Sequence, residues 1–589
     1  MKHCSITFYP EGKTITVHQG AVLLEAAGQA GIILNSPCGG AGLCGKCRVL
    51  IGPEKQEVLA CQYRISSDLD VFIPPESRYF QQQILEHGIE REMHIAPTVF
   101  KKFLSSAPST FEILKSALFP SLGESSEVMH PDGVFDPEIL SHSNGITAVL
   151  AVYKGSCRIL CIEPEDTQHA LYGIAADIGT TTLVLRLVDL LTGEVRRTAS
   201  TANPQIRYGD DVIGRIQHGQ TEKGLSELQR CVIQRLNELI TDLCVKEGIS
   251  AESIYEITAV GNTTMHHLLL KYPVAQLGQA PYRAYSTAAE DRNARQAGFS
   301  IHPQGRLYTV ENIAGFVGSD TVAASLAAGM DTAKEVSLLV DIGTNGELVL
   351  GTGDRLVSAS CAAGPALEGA RILYGSRAEE GAIQRVFTDG EDIDVDVIGS
   401  IPPRTLCGSG LIDAAAVLLD LGVLTATGAF CERDILEEKL SPSLLDRIMA
   451  YQNQPAFVLA WKEGTRQPAV ILTQKDVREV QLAKAAIQAG IDLLLKKMNL
   501  TADQIQHLFL AGAFGNYIQK QSAIRIGLLP AIGEEKIQFI GNAACVGAQM
   551  VLMSRRCRED ASKLAGRIQY VEIARESDFQ AVYSESMLF

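Results

Sequence analysis

The sequence predicts a multidomain α/β protein, and three observations carry that expectation. The chain has 589 residues, more than one hydrophobic core accommodates. Four of its 14 cysteines fall between Cys38 and Cys61. A strand, turn and returning strand built on Asp-Ile-Gly-Thr occurs twice, at Asp177 to Thr180 and at Asp341 to Thr344, as expected of two similar lobes.

Composition bounds the function. With 46% hydrophobic and 20% charged residues, the chain reads as a soluble globular protein. A formal net charge of -16 without a long basic run argues against nucleic acid or an anionic membrane as the main partner. No apolar run approaches the roughly 20 residues of a membrane span, and MKHCSITFYPEG lacks a signal peptide's apolar core, so a cytoplasmic location is expected. In such a setting the cysteines do not read as a disulfide framework.

Residues 1–77 are read as the first domain. SITFYPEGKTITVHQG (5–20) gives two short β-rich runs about a turn, and Ala21 to Ala30 looks helical. SPCGGAGLCGKC then places Cys38, Cys44 and Cys47 in a glycine-rich loop, and a hairpin in RVLIGPEKQEVLACQ brings back Cys61. Four thiolates spaced C-x5-C-x2-C-x13-C can hold a 2Fe-2S cluster, with the loop amides directed at sulfur. Zinc and free thiols are the alternatives, and a single C-x2-C pair weighs against zinc. The stretch resembles a 2Fe-2S ferredoxin domain. It departs from the plant type, which has C-x4-C-x2-C and a longer gap to the fourth cysteine.

Residues 78–97 read as a polar linker and 98–170 as a small α+β middle domain. Cys157 and Cys161, with His130, His142 and His169, match no standard metal spacing and are assigned no chemistry.

The remainder reads as two α/β lobes, 171–330 and 331–589. In the first, the Asp177 turn is followed by a hairpin at Thr192 and Gly193, the segment NPQIRYGDDVIGRI (203–216), a long helix from Leu225 to Lys246, strand Ile257 to Val260 and a helix with His266 and His267. The second runs through the Asp341 turn, a hairpin at Gly351 to Asp354, SASCAAGPALEGARI, a helix opened by Cys407, a helix from Gln474 to Met498, strand Leu508 to Ala511 and the turn at Gly512 to Gly515. Glycine-rich turns let backbone amides approach a phosphate, a threonine hydroxyl can donate to it, and a carboxylate can hold a hydrated magnesium.

With both aspartate turns and the late glycine turn, residues 171–589 resemble the acetate and sugar kinase, heat-shock protein 70 and actin superfamily. That resemblance implies a duplicated ribonuclease-H-like, actin-type ATPase binding ATP and Mg2+. Asp177, Gly179, Thr180 and Thr181 would form one phosphate motif, Asp341, Gly343, Thr344 and Asn345 the other, and Gly512 and Gly515 the adenosine contacts.

The order of parts resembles the reductive activators of corrinoid proteins, most specifically in the cysteine spacing, NPQIRYGDDVIGRI, DIGTNGE and SCAAGPALEGARI. The resemblance implies a β-grasp-like 2Fe-2S domain that delivers one electron to cobalt(II) of a corrinoid methyl carrier, giving cobalt(I), with ATP assisting an uphill transfer. It also implies a low-potential electron donor as a second partner; a homodimer is compatible with it. A serine before A-A-G-P is implied as a cobalt ligand on docking, and Ser360 matches. Cys361 follows here, a departure that leaves Ser358 as a rival. Two other readings stand beside this one: an ATP-coupled electron donor to a different metalloenzyme, and a phosphotransferase with Asp211 as general base.

Overall fold

The computed structural model describes residues 3–9, 12–30, 32, 34, 47–74, 77, 94–105, 128–129, 144–153, 156–209, 211–512 and 518–589. The chain divides into two compact units. One holds Met1–His87, Thr332–Asn542 and Gln569–Phe589, and the other Gly88–Asp331 and Ala543–Ile568.

The first unit begins with a five-stranded sheet ordered Lys13–His18, His3–Tyr9, Leu69–Phe72, Arg48–Ile51, Gln56–Leu59. The first and last strands of the domain, His3–Tyr9 and Leu69–Phe72, run parallel, and the other pairings are antiparallel. Strand alternation turns Cys4, Ile6 and Phe8 to one side, where they meet Val49, Val71 and the Leu23 and Ala27 face of helix Leu23–Gln29. A mixed sheet crossed by one helix is the β-grasp arrangement expected for this part.

The rest of this unit is built on a sheet ordered Ile537–Gly541, His507–Ala511, Ser337–Ile342, Gly346–Thr352, Arg355–Cys361, Ile568–Tyr570. Helix Gln474–Met498 packs on it with Val477, Val480, Ala483, Ile487, Ile491 and Leu494 buried, a stripe at the helical repeat. Thr473 and Asp476 form a capping box at its start, and Asn499 ends it in a left-handed conformation. Two three-stranded sheets complete the unit. One joins Ala382–Thr388, Ile393–Val397 and Thr405–Leu406, and the other Ile448–Tyr451, Gln454–Trp461 and Pro468–Thr473.

The second unit repeats the plan. Its sheet is ordered Val195–Ala202, Thr182–Asp189, Tyr172–Ile178, Ile254–Val260, Arg306–Thr309, Glu290–Asn293. Helix Glu222–Glu247, capped by Thr221, buries Leu225, Leu228, Val232, Leu236, Leu239 and Leu243 against it. Strands Val99–Leu104, Ile146–Tyr153, Ser156–Pro164 and Val128–Met129 form a further four-stranded sheet. Helices Ala543–Met553 and Arg555–Arg567 return to this unit: Arg186 donates to Gln549 at 3.0 Å, and Arg558, stacked on Tyr308, pairs with buried Glu256.

The duplication is visible in register. Asp177 lies antiparallel to Val184 and parallel to Val260, as Asp341 lies antiparallel to Glu347 and parallel to Ala511. A glycine follows each parallel partner. A Cβ on Gly261 would stand 2.6 Å from the carbonyl oxygen of Ile178, and one on Gly512 2.4 Å from that of Ile342, so both sites exclude a side chain. Among the described residues no helix is long and apolar enough to cross a membrane.

Candidate cofactor and nucleotide sites

Strands Arg48–Ile51 and Gln56–Leu59 pair Arg48 with Leu59, and Ala60 N donates to Cys47 O at 2.8 Å. The hairpin therefore sets Cys47 and Cys61 at adjacent ends of two paired strands, 1% and 8% exposed. The Gln62 amide lies 3.8 Å from Cys61 Sγ, a weak donor contact of the kind that tunes a thiolate ligand. Cys38 and Cys44 lie outside the described residues. The two described thiols, shielded and side by side, fit a four-thiolate 2Fe-2S site.

In the Asp341 half, Gly343 N closes the turn onto Asn345 O at 3.1 Å, and the Thr344 hydroxyl donates to Glu368 at 3.0 Å. Glu368 ends the Pro365–Glu368 turn of the A-A-G-P segment, so the two motifs of this half meet in a side-chain hydrogen bond. Gly512, at φ +110, donates its amide to Gly541 O at 3.1 Å. Its close approach to Ile342 is reason enough for glycine there. Gly515 lies outside the described residues.

Ser360 pairs with Glu347 across the hairpin, and Glu347 pairs with Asp341. Directly paired residues share a sheet face, so Asp341, Glu347 and Ser360 form one cross-strand row. All three are partly exposed. Ser358, two residues earlier, is fully buried and its hydroxyl finds no partner among the described residues. Burial, then the Glu347 carboxylate, pushes the Cys361 thiol far up, so the cysteine beside Ser360 offers no thiolate.

In the Asp177 half, Gly179 N bonds Thr182 O at 2.9 Å, Asn262 donates to the Thr180 hydroxyl at 2.8 Å, and Asn203 donates to Gly179 O at 2.8 Å while its amide meets Thr181 O at 2.9 Å. Asn262 also caps helix Thr263–Leu270 through Met265 N. The first residue of NPQIRYGDDVIGRI thus buttresses the turn from behind. Asp211 in that segment caps helix Val212–His218, accepting from Gly214 N at 2.7 Å, a structural duty that competes with service as a general base.

Asp320 was not singled out in the sequence, yet it opens helix Ser319–Ala327 within the field of Asp177. Ser319 fixes that approach by exchanging hydrogen bonds with Gly261 at 3.0 and 3.1 Å. Cys157 is fully buried. Cys161 instead meets His302, Sγ to Nε2 3.6 Å, beside Glu163. Glu163 is already taken by Lys101, Thr167 and Tyr255, and His302 Nδ1 accepts from Gln304 N at 3.1 Å. A backbone amide only donates, so neutral His302 carries its proton on Nε2, toward the sulfur. The group is a hydrogen-bond network, and it does not suit a metal ion.

Fold and sites define a class: an iron-sulfur domain joined to a duplicated actin-type nucleotide-binding fold. Three family models match in order: the 2Fe-2S iron-sulfur cluster binding domain over residues 6–66, the RACo middle region over 172–333, and the C-terminal ASKHA domain of RACo over 335–589. The chain is 33% identical to the corrinoid activation enzyme RamQ of Eubacterium limosum, over 98% of this chain and 97% of that enzyme. It is 23% identical to the Co(II) methylated amine-specific corrinoid protein reductase of Methanosarcina barkeri, over 70% of this chain and 76% of the other. A solved reductive activator for a corrinoid, iron-sulfur protein superposes with a TM-score of 0.76 at 32% identity, covering 100% of this chain and 98% of that one. The chain belongs to the family of reductive activators of corrinoid proteins.

Proposed function

We propose that this protein reduces cobalt(II) to cobalt(I) in a corrinoid methyl-carrier protein, one electron at a time, with ATP and Mg2+ biasing an otherwise unfavourable transfer. The observation that carries this reading is likeness from end to end to a corrinoid activation enzyme, through all three regions in order.

When bound, a 2Fe-2S cluster supplies a one-electron carrier. Cys38, Cys44, Cys47 and Cys61 would hold it; Cys47 and Cys61 shield it from water. A low-potential donor outside the chain refills it. Asp177 and Asp341, each near the end of a sheet strand beside a glycine that lets backbone approach, would each offer a carboxylate to hydrated magnesium within its own turn. Thr180 would offer its hydroxyl to phosphate, Thr344 would do so on releasing Glu368, Gly179, Thr181, Gly343 and Asn345 would complete the two turns, and Gly512 and Gly515 would serve the base. Binding energy is converted to a redox bias only if the two partner states bind nucleotide unequally. Ser360, partly exposed in the Asp341 row, is the serine that reaches cobalt when the corrinoid protein docks; buried Ser358 is not placed to do so. The reaction belongs in the cytoplasm, where a low-potential donor is at hand.

The test mixes anaerobic, reduced protein with a cobalt(II) corrinoid protein and follows the visible spectrum with and without Mg-ATP. Cobalt(I) appearing only with ATP supports the reading. Persistence of cobalt(II) despite an intact, reducible cluster moves the assignment to an ATP-coupled donor for another metalloenzyme.

A further inference from the structure

Within the first unit, the N-terminal domain meets the hairpin of strands Ala382–Thr388 and Ile393–Val397. Arg385 pairs with Glu25. The His18 ring lies tilted against Phe387, ring centroids 4.1 Å apart, with Nδ1 3.5 Å from Asp396. His3 lies 3.8 Å from Asp394, and the edge-strand amide of Thr16 donates to the Ser400 hydroxyl at 3.0 Å. Among the described residues this contact is made by the Arg385–Glu25 ion pair, two histidine–aspartate approaches, one backbone-amide hydrogen bond and one tilted ring pair, a polar composition typical of reversible domain interfaces.

Arg385 also faces inward. Asp413, on helix Gly408–Asp420, is 2% exposed, takes a side-chain hydrogen bond from Ser522, lies in the field of both Arg385 and Glu25, and accepts weakly from Val386 N at 3.4 Å. Arg385 Nε and Asp413 Oδ1 are both buried and without hydrogen-bond partners among the described residues, as are His18 Nδ1 and Nε2 of the neighbouring Gln384. An unpaired buried guanidinium nitrogen and an unpaired buried carboxylate oxygen in one neighbourhood each forfeit a hydrogen bond. A strand irregularity between Ile383 and Arg385 gives the side chain a backbone about which to re-aim.

We infer that Arg385 is a shared latch, bound to Glu25 while the N-terminal domain is docked and turning onto Asp413 when that domain leaves. Docking and the Asp413 ion pair then compete for one cation, so each weakens the other. Glu25 sits on the helix whose first amides, Leu23 N and Leu24 N, bond Tyr63 O and Ala60 O on either side of Cys61. Asp413 sits on the helix packed against the Pro365–Glu368 turn, whose Glu368 holds Thr344. One arginine therefore joins the cysteine-bearing segment to the phosphate turn. That last consequence rests on the nucleotide reading proposed above; the exchange of partners does not.

The Thr16 amide reports docking directly, because its outward hydrogen bond to Ser400 exists only in the docked arrangement. Amide exchange at Thr16 in the full-length protein, without nucleotide or corrinoid protein, is the measurement. Glu25→Gln and Arg385→Gln should each speed Thr16 exchange about tenfold, and the double swap Glu25→Arg with Arg385→Glu should restore protection. Asp413→Asn, which removes the competitor, should slow it about threefold. Unchanged core amides of Phe8 and Val458 establish that each variant is folded. Because Glu25→Gln lies on the other domain, it tests the pair even if Arg385→Gln disturbs its own hairpin. Thr16 exchange indifferent to Glu25→Gln, or indifferent to Asp413→Asn, overturns the latch. Failure of cobalt reduction leaves this readout untouched, so the two proposals fall separately.

Discussion

Asp320, in the first turn of helix Ser319–Ala327, lies in the field of Asp177, and desolvation first, then that neighbouring negative charge, pushes its carboxyl up to about 7. Between about pH 4 and pH 7 the folded protein therefore holds a proton there that the unfolded chain has released. Stability must fall as pH rises through that window, at up to about 1.4 kcal/mol per pH unit. Asp320→Asn should match the wild type near pH 4 and melt at a higher temperature at pH 8. Parallel melting curves at both pH values would remove Asp320 as the source.

The row Asp341, Glu347, Ser360 predicts a split phenotype. Glu347 stands between the two functional candidates without belonging to either turn. Glu347→Gln should keep nucleotide affinity within about threefold and lower ATP stimulation of cobalt reduction about tenfold. Equal losses in both assays would make Glu347 part of the nucleotide site itself.

Two serines, two residues apart on one strand, should behave oppositely. Ser360→Ala should abolish corrinoid reduction and leave ATP hydrolysis intact. Ser358→Ala deletes a buried hydroxyl without a partner and should leave both activities unchanged, with stability equal or up to about 1 kcal/mol higher. Loss of reduction in the Ser358 variant alone would reverse the assignment.

Glycine at 261 and 512 is demanded by the backbone. Gly512→Ala would put a methyl 2.4 Å from the Ile342 carbonyl at a left-handed φ, at a cost of about 2–4 kcal/mol. Thermal melts read this without any ligand. A smaller loss at Gly261, where φ is not left-handed, would separate steric from backbone strain.

Cys61→Ser should eliminate most iron and visible absorbance from anaerobically purified protein, whereas Cys157→Ser, in the core of the other unit, should retain both. Iron retained in the Cys61 variant would return the zinc or free-thiol reading to consideration.

The elements that sequence made legible are those whose stabilising residues are neighbours in the chain. Gln474 to Met498 is recovered end for end, because the Thr473 and Asp476 cap, the apolar stripe and Asn499 are all local. The two aspartate turns are legible for the same reason, and their pairing in register with Val260 and Ala511 follows from the duplication. Contacts made by distant segments left no local trace. Cys161 and His302 lie 141 positions apart, and Asp320 gains significance only when Ser319 pins its helix to Gly261. The short parallel pairing of Ala382 and Ile383 with Thr405 and Leu406 joins segments on either side of a whole hairpin, so no local pattern announces it. Asp211 shows the converse: a carboxylate that looks reactive in a motif is, in the fold, a helix cap.

Helices Ala543–Met553 and Arg555–Arg567 complete the unit begun by Gly88–Asp331. A ribosome has therefore made more than nine-tenths of the chain before Gln549 can reach Arg186 or Arg558 can neutralise Glu256. Until then Glu256 waits in a strand core without its cation, and domain-by-domain folding during synthesis is denied to this half. Assembly of the nascent protein is thereby a late event, and a chain cut short before Ala543 is left with an unfinished core for chaperones and proteases to find.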